Sequence, residues 1–510
     1  MLSKTLSCVL YGLDAHLVEV EVDLSLGLPM FSIVGLPDLA VKESKDRVRA
    51  AIKNTGYPFP VKKITVNLAP ADVKKEGSGF DLPMAVGILA AEGIIKEETL
   101  RDFLMIGELS LDGSIKGVKG ILSMAVAARS ARVKAFLVPA SKAAEAAVVS
   151  GVDVFPMETL PQVVEFLNKR INLEPRKVNL EGLFAQNSHY QQDFSDVKGQ
   201  DLAKRALEVS AAGGHNILMM GPPGSGKTML AQRIPTILPP MNFEEAIETT
   251  KIHSIMGLLA ERQGLVGTRP FRSPHHTISD AGLIGGGQIP KPGEVSLAHN
   301  GVLFLDELPE FKRNALEVLR QPLEEGKVTI SRVNASLSYP AHFMLIAAMN
   351  PCQCGFFTDR TRECLCTPAQ IQRYRAKVSG PLLDRIDIHI EVPTVPFKEL
   401  TLDPLREDSK AIRERVHRAR KMQVERYKRE GIYCNSQLNP KQLKKYCELD
   451  DDSQKLFEMA MNKLSLSARA YHRILKVSRT IADLDQRGRI GAQDVSEAIQ
   501  YRTLDRKNIV

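Results

Sequence analysis

Eight consecutive residues carry the most specific chemistry in this chain: Gly221, Pro222, Pro223, Gly224, Ser225, Gly226, Lys227 and Thr228. They fill the pattern G-x-x-x-x-G-K-[ST]. Its glycines let backbone N–H groups turn inward around phosphates, its lysine reaches the β and γ phosphates, and its hydroxyl faces Mg²⁺. The run Asn216 to Met220 ahead of it supplies a strand, and a helix from Lys227 would aim its positive end at the same charge. ATP and Mg²⁺ are the ligands such a loop calls for; a chance glycine turn is the competing explanation. The expected partner is Asp306 with Glu307, delivered by the apolar strand Val302–Leu305. Asp306 would hold the Mg²⁺ shell, and Glu307 would polarise the attacking water.

Three further residues fit around this pair. Asn350 ends the apolar strand Met344 to Met349, where a polar group can position water against the γ-phosphate. Arg385, in Leu382-Leu-Asp-Arg-Ile-Asp387, precedes a strand expected over 386–392. Arg469, in Ser467-Ala-Arg-Ala-Tyr471, opens a helix. An arginine can stabilise the charge that spreads over a transferring phosphoryl group, from its own subunit or a neighbouring one. Alone, either could be a solvated surface arginine; the order of all five elements argues for the site.

Cys352, Cys354, Cys364 and Cys366 form two C-x-C pairs with Gly355 at the turn. Four thiolates can close a tetrahedral Zn²⁺ site with no open position, which would be structural and not catalytic. Two disulfides or four free thiols are the alternatives. His275 and His276 suggest a metal but lack an obvious third ligand. The span 406–429 is a basic helix with ten Lys or Arg against four Asp or Glu. It is either a solvated helix with i, i+4 pairs or a phosphate contact through Arg413, Arg418 and Arg420. Lys327 to Tyr339, with Arg332, reads as a hairpin, and it and the stretch from His275 and His276 to Gly287 are candidate DNA-contacting loops.

These residues need scaffolds. The chain has 510 residues, too many for one core. Its formal charge of +8 permits a nucleic-acid partner without establishing one. No run of eighteen apolar residues predicts a membrane span, and no leader pattern opens the chain, so a cytoplasmic location without membrane partners is expected. Alternating side chains over Leu17–Val22 and Ile64–Leu68 predict strands. Helices are expected over Leu82–Glu92 and Met124–Ala131, and a strand over Ala135–Val138. The fold class is α/β. Residues 1–175 form a mixed α+β domain, 176–195 a linker, 196–400 a P-loop core on a parallel sheet with the four-cysteine insertion, and 401–510 a helical domain.

The stretches Gly35 to Asp38, Asn67 to Ala71, Gly79 to Pro83, Phe271 to His276, Ser379 to Asp387 and Arg479 to Leu484 span almost the whole length. With the phosphate loop they resemble the bacterial ComM/YifB family, magnesium-chelatase-like AAA+ ATPases. The resemblance implies a homo-oligomeric ring, a hexamer, with nucleotide between subunits. It implies an arginine finger at Arg385, a sensor at Asn350 and a second sensor at Arg469. It places the histidine and glycine stretch in an insertion facing the ring pore. It also implies a DNA helicase promoting branch migration in recombination or natural transformation. The rival is a chelatase-type ATPase that remodels a protein partner. The N-terminal domain is similar in pattern to the proteolytic domain of Lon. There the serine position falls at Gly79 and the lysine position at Leu122, with Ser78 and Lys119 close by in sequence, so a non-proteolytic scaffold is expected.

Overall fold

The computed structural model describes residues 1–179, 190–260, 263–287, 290–332, 335–357, 359, 362–396, 407–464, 467–502 and 504. The chain divides into two compact units, Met1–Asn187 with Phe243–Gly267, and Ser188–Asn242 with Thr268–Val510. Among the described residues no helix is long and apolar enough to cross a membrane.

The first unit is built on β1 (Leu2–Tyr11), β2 (Asp14–Ser25), β3 (Met30–Val34), β4 (Lys63–Ala69), β5 (Phe103–Met105), the short β6 (Glu108–Leu109) and β7 (Ile115–Lys116), β8 (Ala135–Pro139) and β9 (Asp153–Met157). Seven of these form one mixed sheet in the order β3-β4-β2-β1-β5-β8-β9; β6 and β7 make a separate ribbon. The alternation read at Leu17–Val22 has its physical origin here: Val18, Val20, Val22 and Leu24 face the core, and the residues between them do not. Helix Asp81–Ala91 is buried along its whole length, and Arg47 clamps its first residue through Nε to Asp81 Oδ2 at 2.7 Å. Helices expected over 82–92 and 124–131 occur at Asp81–Ala91 and Ile121–Ser130.

The second unit contains β10 (Ile217–Met220), β11 (Phe271–Arg272), β12 (Gly285–Gly286), β13 (Lys291–Pro292), β14 (Val302–Leu305), β15 (Lys327–Arg332), β16 (Ala335–Pro340), β17 (Met344–Met349) and β18 (Ile388–Glu391). Five of them form a sheet in the order β11-β14-β17-β10-β18, and every pairing in it is parallel. Its strands are apolar on both faces, as a sheet covered by helices requires. The strand expected over 386–392 is shorter, because Arg385 and Ile386 donate their N–H groups to Leu382 and Leu383 and close a turn first.

The boundaries differ from the expected ones in three places. Phe243–Gly267 lies within the expected 196–400 core but belongs to the first unit. Its helix Phe243–Met256 hydrogen-bonds Glu145 through Ser254 Oγ, and Gly264 lies so close to Ala144 that a Cβ would come within 2.8 Å of the carbonyl oxygen. The helices after residue 407, expected as a helical domain, pack against the sheet. Ile412, Val416, Ile474, Leu475 and Ile481 share one buried cluster with Ile217, Phe304, Ile346 and Ile388 of the sheet. The expected boundary at 400–401 lies outside the described residues, as do residues 180–189 of the expected linker. The last linker residues are folded, since Phe194 is fully buried and its N–H donates to Ser409 Oγ at 2.8 Å.

Candidate nucleotide site

The parallel sheet puts three of the candidate elements at one edge. The phosphate loop follows β10, Asp306 and Glu307 follow β14, and Asn350 follows β17, all at the carboxyl ends of their strands. The local chain is shaped for close approach. Gly221 has no room for a side chain: a Cβ there would stand 2.1 Å from the Val392 carbonyl oxygen. Gly224 and Gly226 take positive φ of 77° and 90°, which glycine adopts without penalty. Helix Lys227–Arg233 starts at the end of this turn.

Lys227 is buried, and its Nζ donates to the carbonyls of Gly221 and Pro222 at 2.8 and 2.9 Å and to Asn350 Oδ1 at 3.3 Å. Burial pushes its pKa down, and the Asp306 carboxylate acts against that shift. Thr228 Oγ1 donates to Asp306 Oδ2 at 2.6 Å, and the Glu307 N–H donates to Asp306 Oδ1 at 2.9 Å. A hydroxyl and a carboxylate converging beside the loop suit a hard cation such as Mg²⁺. Glu307 itself sits at φ 52°, a left-handed backbone unusual for a non-glycine residue and frequent where strain serves function.

Sequence reasoning missed a contact here. His276 Nδ1 lies 3.3 Å from Glu307 Oε2, and the His275 ring stands over that of His276 with centroids 4.1 Å apart. The histidine pair read as a possible metal site; its nearest carboxylate is the expected water-polarising one. Asn216 was missed as well. Its Oδ1 accepts from the Leu345 N–H at 2.8 Å, its Nδ2 donates to the Arg385 carbonyl at 3.1 Å, and its N–H donates to Asp387 Oδ2 at 3.0 Å. One side chain thus ties the start of β17 to the turn before β18.

Arg385 and Arg469 are not brought to this edge. Ile217 pairs with Ile388, so Arg385 lies beside Asn216 at the amino ends of the strands. Five residues of extended chain separate that level from Gly221, about 17 Å, more than an arginine side chain spans. Arg385 is 6% exposed, ion-paired with Glu324, and donates to the Pro381 carbonyl at 2.5 Å. Its Nε is buried without a partner. Burial pushes its pKa down against the pull of Glu324. Arg469 begins helix Ala468–Leu484, is 64% exposed, and stands 3.8 Å from Asp384. One turn along, Arg473 pairs with the buried Asp387. The two arginines therefore flank one turn, Asp384 to Asp387.

The four cysteines come together. Their sulfurs all lie within 4.8 Å of one another. Three separations are 3.3, 3.6 and 3.7 Å. A tetrahedron of thiolates at Zn–S of 2.3 Å needs about 3.8 Å between sulfurs, whereas a disulfide needs about 2.05 Å. All seven cysteines are free. The Phe356 N–H holds the Cys354 thiol down at about 6, whereas burial pushes the Cys364 thiol up to about 12, so the case for a metal rests on the spacing of the sulfurs.

The candidate DNA contacts separate. Arg332 is exposed at the end of β15, where β15 and β16 pair from Lys327↔Pro340 to Arg332↔Ala335. Its guanidinium lies over Gly286 of the β12–β13 ribbon, 3.4 Å from where a Cβ would stand. Tyr339 fastens hairpin to ribbon by donating its hydroxyl to the Pro290 carbonyl at 2.7 Å. The expected basic helix is Ser409–Arg426; Arg406 lies outside the described residues. Arg418 is exposed and Arg413 half-buried. Arg420 has another task. It donates to the carbonyls of Ala211 and Ala212 at 3.1 to 3.2 Å, the negative end of helix Asp201–Gly213.

In the first unit neither Lon-like position carries a nucleophile or a base. A Cβ at Gly79 would come within 2.8 Å of Ile106 Cδ1, and Leu122 is fully buried. Ser78 gives its hydroxyl to Glu108, a carboxylate and not an amine.

Comparison with known proteins matches three family descriptions along the chain: "Subunit ChlI of Mg-chelatase" over 20–142, "Magnesium chelatase, subunit ChlI" over 193–400, and "Magnesium chelatase, subunit ChlI C-terminal" over 406–502. Competence protein ComM of Haemophilus influenzae is 46% identical over 497 residues, which cover 97% of this chain and 96% of that protein. Uncharacterized protein YifB of Escherichia coli is 44% identical over 498 residues, covering 97% and 96%. The magnesium-chelatase 67 kDa subunit of Chlorobaculum parvum is 30% identical over 164 residues, 31% of this chain and 23% of that subunit.

Proposed function

The chain belongs to the ComM/YifB family of magnesium-chelatase-like AAA+ ATPases, and on that premise we propose that it is an ATP-hydrolysing hexameric ring motor acting on DNA. In this reading it is a helicase promoting branch migration during recombination or natural transformation. One observation carries the ring: the loop that would hold phosphate and the arginine that would stabilise its transfer stand at opposite edges of the same sheet. A single chain holds two halves of two different sites, and a head-to-tail ring brings unlike halves together.

The residues then divide the work. Lys227 holds the β and γ phosphates, giving up its contacts to the Gly221 and Pro222 carbonyls and to Asn350. Thr228 and Asp306 hold the Mg²⁺ shell; the ion, when bound, neutralises charge on the phosphates. Glu307 takes the proton side of the attacking water, and Asn350 aligns that water. Arg385 leaves Glu324 and enters the neighbouring copy's site, with Arg469 beside it. Exposed Arg332 on its hairpin, with Arg413 and Arg418, would grip phosphates of either a single or a branched strand. Cys352, Cys354, Cys364 and Cys366 would hold a structural Zn²⁺. A cytoplasmic protein with no membrane partner suits this task.

The test is ATP turnover with and without single-stranded DNA. Stimulation by DNA, with binding that weakens steeply with salt, supports the motor. No salt-dependent DNA binding in the presence of ATP returns the chain to the rival its chelatase matches favour, a remodeller of a protein partner.

A further inference from the structure

The cysteine cluster and the phosphate loop meet where Gly355 approaches the ring of Pro223. Gly355 directly follows Cys354, sits at φ 89°, and donates its N–H to the Cys352 carbonyl at 3.1 Å. It lies flat against Pro223. A Cβ at 355 would stand 2.5 Å from Pro223 Cδ and 2.7 Å from Cγ, so only glycine allows this approach. Pro223 has a ring-fixed φ, so a push on it moves the loop backbone and is not absorbed by side-chain rotation.

The other end of the knuckle is also fastened to the site. Cys352 is two residues beyond Asn350, whose Oδ1 faces Lys227 Nζ at 3.3 Å. Between them, the Pro351 carbonyl accepts from Arg375 Nε at 3.1 Å, and the Arg375 guanidinium covers the Phe357 ring at 5.4 Å. Residues 350 to 357 therefore run from the sensor position, through two of the four sulfurs, to the phosphate loop.

We propose that a divalent metal of the zinc class, held by Cys352, Cys354, Cys364 and Cys366, acts as a clamp on the phosphate loop, so that metal occupancy sets nucleotide affinity. The proposal rests on the ATPase reading of that loop. A metal joining Cys352 and Cys354 to Cys364 and Cys366 closes the intervening chain and removes its freedom. Gly355, one bond beyond a ligand, is then fixed against Pro223. Without metal the knuckle relaxes, and the loop must be ordered at the cost of nucleotide binding. Coupling of this kind is reciprocal: nucleotide must tighten metal by the factor by which metal tightens nucleotide.

The test uses the full-length protein loaded with zinc, stripped by a chelator under reducing conditions, and reloaded. Affinity for a fluorescent ATP analogue should fall about tenfold on stripping, a coupling of ordinary size. One equivalent of zinc should restore it, and excess Mg²⁺ should not. Saturating nucleotide should lower zinc transfer to a chromogenic chelator by the same factor. Gly355→Ala, with its zinc content verified, should weaken nucleotide binding in the loaded state; this comparison decides the matter should the stripped protein unfold. A folded, stripped protein with unchanged nucleotide affinity overturns the clamp. So does zinc-loaded Gly355→Ala binding like wild type, or a cluster that takes up no zinc. A zinc-loaded wild type that binds no nucleotide at all overturns the ATPase reading beneath it.

Discussion

The two edges of the parallel sheet differ in how their charged groups are held. At the carboxyl edge Thr228, Asp306 and Glu307 are partly open, and Lys227 is buried but satisfied only by uncharged oxygens that phosphates can replace. At the amino edge Arg385 is buried and tied to Glu324, Arg473 is tied to buried Asp387, and Arg469 alone is open. One edge is arranged to receive a ligand. The other holds its arginines in ion pairs around the turn Asp384 to Asp387. In the proposed ring, a copy of the chain would have complete use of its first edge only when another copy supplies the second.

The largest expected effects come from breaking the carboxyl edge alone. Lys227→Ala should abolish measurable hydrolysis and weaken nucleotide binding. Glu307→Gln should keep binding and lower turnover by at least about 100-fold, the size of a general acid–base contribution. Nucleotide affinity and steady-state turnover separate the two. Normal turnover in Glu307→Gln would remove that residue from its role.

Breaking the Arg473–Asp387 pair within the amino edge should register first as stability. Arg473→Ala leaves Asp387 charged and buried among His215 and the Asn216 N–H, at a cost of about 3 kcal/mol in chemical denaturation. Burial pushes the Asp387 pKa up, but Arg473 and then His215 outweigh it, so the folded carboxyl titrates below its ordinary range. That stabilisation is present above the ordinary carboxylate range and is lost as pH falls through it. The pH dependence of stability at the acid end should therefore be shallower in Arg473→Ala than in wild type.

Smaller effects sharpen the contrast within the receiving edge. His276→Ala should lower kcat about tenfold with little change in KM if its contact with Glu307 orients that carboxylate. His276→Asn, which keeps a donor near the Nδ1 position, should recover most of the loss. Equal losses in both variants, or a rise in KM alone, would argue against an orienting role. Arg332→Ala should leave basal turnover intact and shallow the salt dependence of single-strand binding by about 0.7 in log–log slope. Fluorescence anisotropy across a salt series measures it.

Much of the carboxyl edge was legible because its chemistry is local. Eight adjacent residues make the loop, and an apolar strand ending in Asp306 and Glu307 needs only its own periodicity to be read. The amino edge was legible as residues and not as geometry. That Arg385 faces away from its own loop depends on the Ile217↔Ile388 register, a pairing 171 residues long that no local pattern encodes. Asn216 was invisible for the same reason: an asparagine before a strand looks like a cap until Leu345 and Asp387 arrive from far along the chain. Arg420 looked like a phosphate contact because charge pattern alone cannot distinguish a solvated guanidinium from one capping a neighbouring helix. The segment 243–267 has an ordinary helical pattern, and its membership in the first unit comes from Ala144 and Glu145, over a hundred residues earlier. The C-x-C pairs were legible as a cluster, and the close approach of Gly355 to Pro223 was not.

If each hydrolytic site needs two chains, mixing two inactive variants restores what neither has alone. Lys227→Ala lacks the receiving edge, and Arg385→Ala lacks the presenting one; each alone should lose about 1,000-fold or more in turnover. In randomly mixed equimolar rings about one interface in four joins an intact loop to an intact arginine, the product of two halves, if the interface is head to tail. Turnover should then recover to a sizeable fraction of wild type, in proportion to the mixed interfaces counted by mass. Mixed rings of verified composition that stay as inactive as either parent would contradict the account.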